Sequence, residues 1–140
     1  MYTNEENGLA GGKAYKDYAD KSKEKQIMAI ESDAGGHSPK GFFYEDDKGV
    51  SPDYSATLKE WKKILEPYNY QFTPGGSGSD IGTLKPNKTF LLGLMPDSQR
   101  YFDYHHSAND TFDKVNRREL ELGAAAMASI VYLTDKYGLR

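Results

Sequence analysis

Gln26-Ile-Met-Ala-Ile-Glu-Ser-Asp33-Ala-Gly-Gly36 is a short apolar run that breaks off into a carboxylate and two glycines. A run of this length bounded by a turn signal reads as a buried strand, and it delivers Asp33 at its carboxyl end. Thr89-Phe-Leu-Leu-Gly-Leu-Met95, closed by Pro96-Asp97, predicts a second buried strand. Helical patterns surround these two runs. Leu9, Ala14, Tyr15, Tyr18 and Ala19 recur at helical spacing between Gly8 and Ala19, against the opposing effect of Gly11 and Gly12. Ser51-Pro52-Asp53 supplies a capping hydroxyl, a proline whose missing N–H costs nothing there and an early carboxylate, and a stripe of Leu58, Trp61, Ile64 and Leu65 follows until Pro67. Asn116 with Glu119 resembles a capping box, and Leu120, Ala124, Met127, Ile130 and Val131 then trace an amphipathic helix ending near Lys136 and Gly138.

Strands alternating with helices predict an α/β fold: three α/β/α layers around a mixed, largely parallel sheet, with ligands bound beyond the carboxyl ends of the strands. Residues 1–4 could be the last residues of a further strand entering Glu5-Glu6, and Tyr70-Gln-Phe-Thr73 another short one. Residues 34–50, rich in glycine, proline and aspartate, read as a long connection. The glycines of Pro74-Gly-Gly-Ser-Gly-Ser-Asp80 would let backbone pass close to a ligand or another segment, which makes this loop a site candidate.

With 140 residues and 15.7 kDa, a single domain spanning 1–140 is expected. The 13% of aromatic residues, eleven tyrosines among them, argue against a disordered chain despite 28% charged residues. A net charge of -3 and a pI near 5.6 offer no field for phosphate backbones, so no nucleic-acid partner is expected. The absence of cysteine excludes disulfides and thiolate metal ligands. No apolar run is long enough for a membrane span, and Met1 does not open a signal-peptide pattern.

Three groups of residues could carry chemistry, and each has a plainer reading. Adjacent Glu5 and Glu6 diverge from the backbone, so one could bind a cation while the other addresses a water beside it; adjacent acids are usually solvated surface charge. Asp33 stands at a sheet end with room around it, or caps local N–H groups as a turn residue. His105 and His106 precede Ser-Ala-Asn-Asp-Thr111 and offer an imidazole suited to zinc, or an exposed pair with no ligand. His37 has no patterned partner and reads as a solvent or rim residue.

Four segments in order resemble the zinc-dependent exopeptidase family of aminopeptidases and glutamate carboxypeptidases, most closely its carboxypeptidase Q branch: Thr3-Asn-Glu-Glu-Asn-Gly-Leu-Ala-Gly-Gly12, Glu31-Ser-Asp-Ala-Gly-Gly36, Gly76-Ser-Gly-Ser-Asp-Ile81 and Tyr104-His-His-Ser-Ala-Asn-Asp-Thr111. The resemblance implies terminal peptide-bond hydrolysis by two zinc ions about 3.5–4 Å apart. It implies Glu5 as general base, Glu6 and His106 as ligands of one zinc, and Asp33 as a ligand of the other. His106 rather than His105 is implied because Ser107, Ala108 and Asn109 separate it from Asp110-Thr111 as in the family pattern. His105 would then line the site, and Gly78, Ser79 and Asp80 would lie beside the peptide substrate.

The resemblance also implies a His-x-Asp segment upstream of Met1, supplying one zinc with its histidine and both with a bridging aspartate. This chain is therefore expected to carry a partial site with weak metal binding and little activity of its own. Missing sheet strands would expose an apolar edge that an upstream segment or a homodimer would cover. A periplasmic or secreted location follows for the whole enzyme by resemblance. The alternative is a non-catalytic binding or interaction module on the same scaffold.

Overall fold

The computed structural model of the protein describes residues 2–46 and 53–139. Nine principal elements follow in chain order: α1 (Ala10–Ser22), β1 (Met28–Glu31), β2 (Pro39–Tyr44), α2 (Ser55–Ile64), β3 (Gln71–Pro74), α3 (Ser79–Gly82), β4 (Phe90–Pro96), α4 (Tyr101–Tyr104) and α5 (Arg117–Tyr137). The strands form one sheet in the order β1-β4-β2-β3, with β1 parallel to β4, β2 parallel to β3, and β2 antiparallel to β4. The α/β class with a mixed sheet, expected from the alternation of patterns, is the fold observed.

Strand alternation divides the core between the two faces of this sheet. On one face Phe42, Phe90, Leu92 and Leu94 pack against Leu58 and Trp61 of α2 and Ala126, Ile130 and Leu133 of α5. On the other, Leu91 meets Ile81 of α3 and Leu84, with Tyr2, Tyr15 of α1 and Ala29 against them. Each fully buried large side chain of this set, Trp61 and Phe42 among them, contributes about 1.5–3 kcal/mol relative to exposure. β4 has neighbours on both sides and is buried at six of its seven positions, whereas among the described residues β1 pairs with β4 alone and lies at an edge of the sheet. Among the described residues no helix is long and apolar enough to cross a membrane.

Several expectations shift. The connection expected over 34–50 contains β2, whose Phe42 is wholly buried; Pro39 takes its first position, where a missing N–H costs least. Residues 2–4 form no strand, and Asn4 is left-handed ahead of a 3-10 turn over Glu5–Asn7. Of the expected start of α2, Ser51 and Pro52 lie outside the described residues, while Asp53 accepts a hydrogen bond from the Ser55 N–H at 3.0 Å. Ile64 is 49% exposed and leaves the apolar stripe of that helix. In α5 the buried face runs through Gly123, Ala126, Ile130, Leu133 and Thr134, so Leu120, Ala124 and Val131 are exposed. The cap is half of a box: Asn116 Oδ1 accepts from the Glu119 N–H at 3.1 Å, but the Glu119 carboxylate turns to Arg100 at 2.7 Å and Ser38 at 2.9 Å. His37 is buried rather than on a solvent-facing rim, 8% exposed with its ring 6.3 Å from that of Tyr104.

Candidate active site

β1 ends at Glu31, and two residues later the chain presents Asp33, exposed at the carboxyl end of the strand. Glu31, Gly93 and Phe43 pair across β1, β4 and β2 and so form one row on the face that carries α1 and α3. Gly93 is the gap in that row. A Cβ there would lie 2.5 Å from the Ser77 carbonyl oxygen, so the glycine-rich loop rests directly on the sheet. The loop is tied down by Glu31, whose Oε2 accepts the Ile81 N–H at 2.9 Å, and Gly78 passes so close that a Cβ would stand 2.3 Å from Glu31 Cδ. Gly78 also adopts φ +132, a region that only glycine enters without strain.

Beneath and beside this loop is a cavity of about 440 Å³ bounded by Asp33, Phe43, Glu45, Gly78, Ser79 and Tyr101, among others. In its wall Glu45, 9% exposed, receives the Ser77 hydroxyl at 3.3 Å and the Lys85 ammonium at 2.7 Å. A second, smaller hollow of about 140 Å³ adjoins it, lined by His37, Tyr104, His105 and Asp110. Asp33 and Tyr101 border both. Burial pushes the Glu31 carboxyl above its ordinary range, more than the Ile81 N–H lowers it, and the charges of Asp33 and Asp80 act the same way. Asp80 is raised by burial and by Asp33. The Tyr2 phenol is pushed up to about 12 by burial, with Tyr15, Asp80 and Glu31 adding to it.

Glu6 and His106, one hundred positions apart, come together outside this cleft: Glu6 Oε1 and His106 Nε2 are 3.3 Å apart. His106 is left-handed, φ 52, and its ring lies 4.0 Å from that of His105, centroid to centroid. His105 in turn stacks on Tyr101 at 4.4 Å, with the phenol 3.5 Å from Nε2. Glu5 is half-buried in the turn before Glu6, its carbonyl accepting from Leu9 N–H at 2.8 Å. Asp33 thus shares a hollow with His105, and Gly78 and Ser79 share the larger cavity with Asp33. Asp80 turns its carboxylate toward α1, where a Cβ at Gly12 would meet Oδ1 at 3.1 Å. Among the described residues no three acidic or imidazole side chains stand close enough together to hold a metal ion.

The sequence model of Peptidase family M28 matches residues 1–131. The chain belongs to peptidase family M28. Carboxypeptidase Q of Bos taurus is 27% identical to it over 135 residues, and carboxypeptidase Q of Homo sapiens 28% over 134, each alignment covering 95% of this chain and 28% of the relative. The Peptidase M28 precursor of Shewanella amazonensis SB2B superposes with a TM-score of 0.80 at 32% identity, over all of this chain and 32% of that one. This M28 chain therefore spans about a quarter to a third of the length of the proteins it matches. Glu31, Glu45, Gly93 and Tyr101 were not singled out from the M28 sequence alone. Gly93 had a readable signal, an isolated glycine inside an apolar strand, which marks close backbone approach.

Proposed function

We propose that this chain supplies part of a zinc-dependent exopeptidase site that hydrolyses terminal peptide bonds, within one catalytic domain that includes residues 1–140. The observation that carries this is the meeting of Glu6 and His106 across one hundred residues, 3.3 Å apart, in a chain of the M28 family. A carboxylate oxygen and an imidazole nitrogen are donors that zinc accepts. Glu6 and His106 would hold one ion and Asp33 a second. Because zinc sites use at least three protein ligands, the remaining donors, including a His-x-Asp pair, would come from beyond these residues. Bound zinc supplies Lewis-acid polarisation of the scissile carbonyl and acidifies water.

The chain's own groups do the rest. Glu5 takes a proton from the attacking water and delivers it to the leaving amine, a contribution of about 100- to 10,000-fold. Gly78 and Ser79 present backbone to the substrate, Asp80 holds the loop beside it, and His105, steadied by Tyr101, contacts the substrate or the tetrahedral intermediate.

Zinc titration by calorimetry tests the ligand assignment without relying on turnover. Weak binding is expected, lost in His106→Ala and in Glu6→Ala; unchanged binding in both variants overturns the assignment. In a version extended upstream of Met1, a panel of aminoacyl and dipeptide substrates should be hydrolysed and Glu5→Gln should abolish turnover. Full activity in Glu5→Gln would remove the base from Glu5, and no hydrolysis by the extended protein would favour a non-catalytic binding module.

A further inference from the structure

Glu45 and Lys85 form an ion pair that the proposed chemistry does not use. Glu45 follows β2 directly, and it extends the strand alternation by one step, so its side chain falls on the same face as Phe43. It sits 9% exposed in the wall of the cavity, with Ser77 Oγ–H and Lys85 Nζ both directed to Oε2. Replacing a buried ion pair with apolar groups is often neutral or stabilising, so stability alone is a poor reason for placing one here. What the pair does provide is a charged patch in the wall of a cavity that Asp33 also lines.

Apart from Asp33, which the peptidase reading gives to zinc, the lining carries two carboxylates, Glu31 and Glu45, against one ammonium, Lys85. Lys85 is the more exposed member of its pair, 32% against 9%, so solvent screens its charge more than that of Glu45. A negative field therefore remains inside the cavity. An entering carboxylate side chain would add a third like charge. An aliphatic one would strip water from Glu45 and Lys85 without returning a hydrogen bond, a cost of desolvation. A lysine or arginine side chain brings the opposite charge: its methylene stem would have the rings of Phe43 and Tyr101 to lie along, and its cationic head would reach Glu45 in competition with Lys85.

We propose that this cavity is the pocket for the substrate residue beside the scissile bond, that it selects a cationic side chain, and that Glu45 is the specificity-determining residue. The proposal rests on the peptidase reading above.

Titration of the ¹⁵N-labelled protein with lysinamide, leucinamide and glutamic acid α-amide tests it through the amide resonances of Glu45, Ser77 and Gly78. Lysinamide should bind at least tenfold more tightly than leucinamide, with glutamic acid α-amide weakest. Glu45→Gln should bring the three within about twofold of one another. Lys85→Gln, which keeps Glu45 and removes the competing cation, should strengthen lysinamide binding and serves if Glu45→Gln fails to fold. Binding at these resonances with no preference for lysinamide, or a preference that survives Glu45→Gln, overturns the charge selection and leaves the peptidase reading standing. No perturbation by any of the three overturns the pocket itself, whereas the zinc titration tests the metal ligands separately.

Discussion

Gly78→Ala should destabilise the protein through Glu31, and the effect can be isolated by a double-mutant cycle. Two costs combine at this position. The backbone angle φ +132 is one an alanine adopts only with strain, about 1–3 kcal/mol. The new methyl would also stand 2.3 Å from Glu31 Cδ and 2.4 and 2.6 Å from its two oxygens. Glu31 can yield only by giving up its bond from the Ile81 N–H, so overlap or lost bonding adds about 1–3 kcal/mol. In a Glu31→Ala background the clashing atoms are gone and only the strain remains. The same Gly78→Ala change should therefore cost about 2–6 kcal/mol in the parent and about 1–3 kcal/mol beside Ala, a coupling of about 1–3 kcal/mol. Urea unfolding measures this: at a slope of about 2 kcal/mol per molar, a coupling of 2 kcal/mol appears as a difference of about 1 M in midpoint shifts. Equal costs in the two backgrounds, within about 0.5 kcal/mol, would refute the claim that Glu31 and Gly78 share one volume.

Other consequences follow from single contacts. Gly93→Ala would push the glycine-rich loop off the sheet, because the nearest atoms are Ser77 backbone at 2.5 and 2.9 Å; a loss of about 1–3 kcal/mol in urea unfolding is expected, and a neutral result would contradict the close approach. Asn116→Ala removes the cap of α5 and should cost about 1 kcal/mol, while Asn116→Asp should keep most of it. Asp113 is held at about 2 by the Lys114 ammonium and the Thr111 hydroxyl, against an ordinary 3.8. A depressed carboxyl stabilises the fold above its unfolded value and loses that contribution as pH falls from about 4 through about 2. Titration of the Asp113 carboxyl by NMR should show the low midpoint, and Lys114→Ala should move it upward; an unmoved midpoint would dismiss the pairing.

The elements with regular pattern were legible because periodicity reports burial directly. β1, β4 and α5 fall where apolar spacing puts them, with the helix N-cap on Asn116. β2 was hidden because Pro39 and Gly41 within a Gly- and Asp-rich stretch look like a connection, and only a partner strand on each side reveals why Phe42 is buried. The face of α5 was read one position away because Gly123 and Ala126, small and weak in any hydrophobic pattern, are what lets the helix approach Leu94. His37 was placed outside for a similar reason: nothing in its neighbours along the chain records the Tyr104 ring that covers it. The site was legible only in part. Its motif residues could be quoted from the sequence, but Glu31 and Glu45 act through contacts with segments 50 and 32 positions away, which no local pattern contains.

The Glu6–His106 contact adds little to stability. Both side chains are largely exposed, 73% and 61%, and exposed pairs of this kind are typically worth only about 0–1 kcal/mol. His106 has φ 52, a conformation that costs a non-glycine residue about 1–3 kcal/mol. The backbone strain and the side-chain contact are separate contributions at this position. His106→Gly separates the two. Glycine adopts this backbone freely, so the strain disappears along with the imidazole, and the urea midpoint should stay level or rise. Zinc binding by the same variant should fall to that of His106→Ala. A loss of stability greater than about 1 kcal/mol in His106→Gly would mean that the imidazole holds the chain together, and the left-handed turn would then need no metal to explain it.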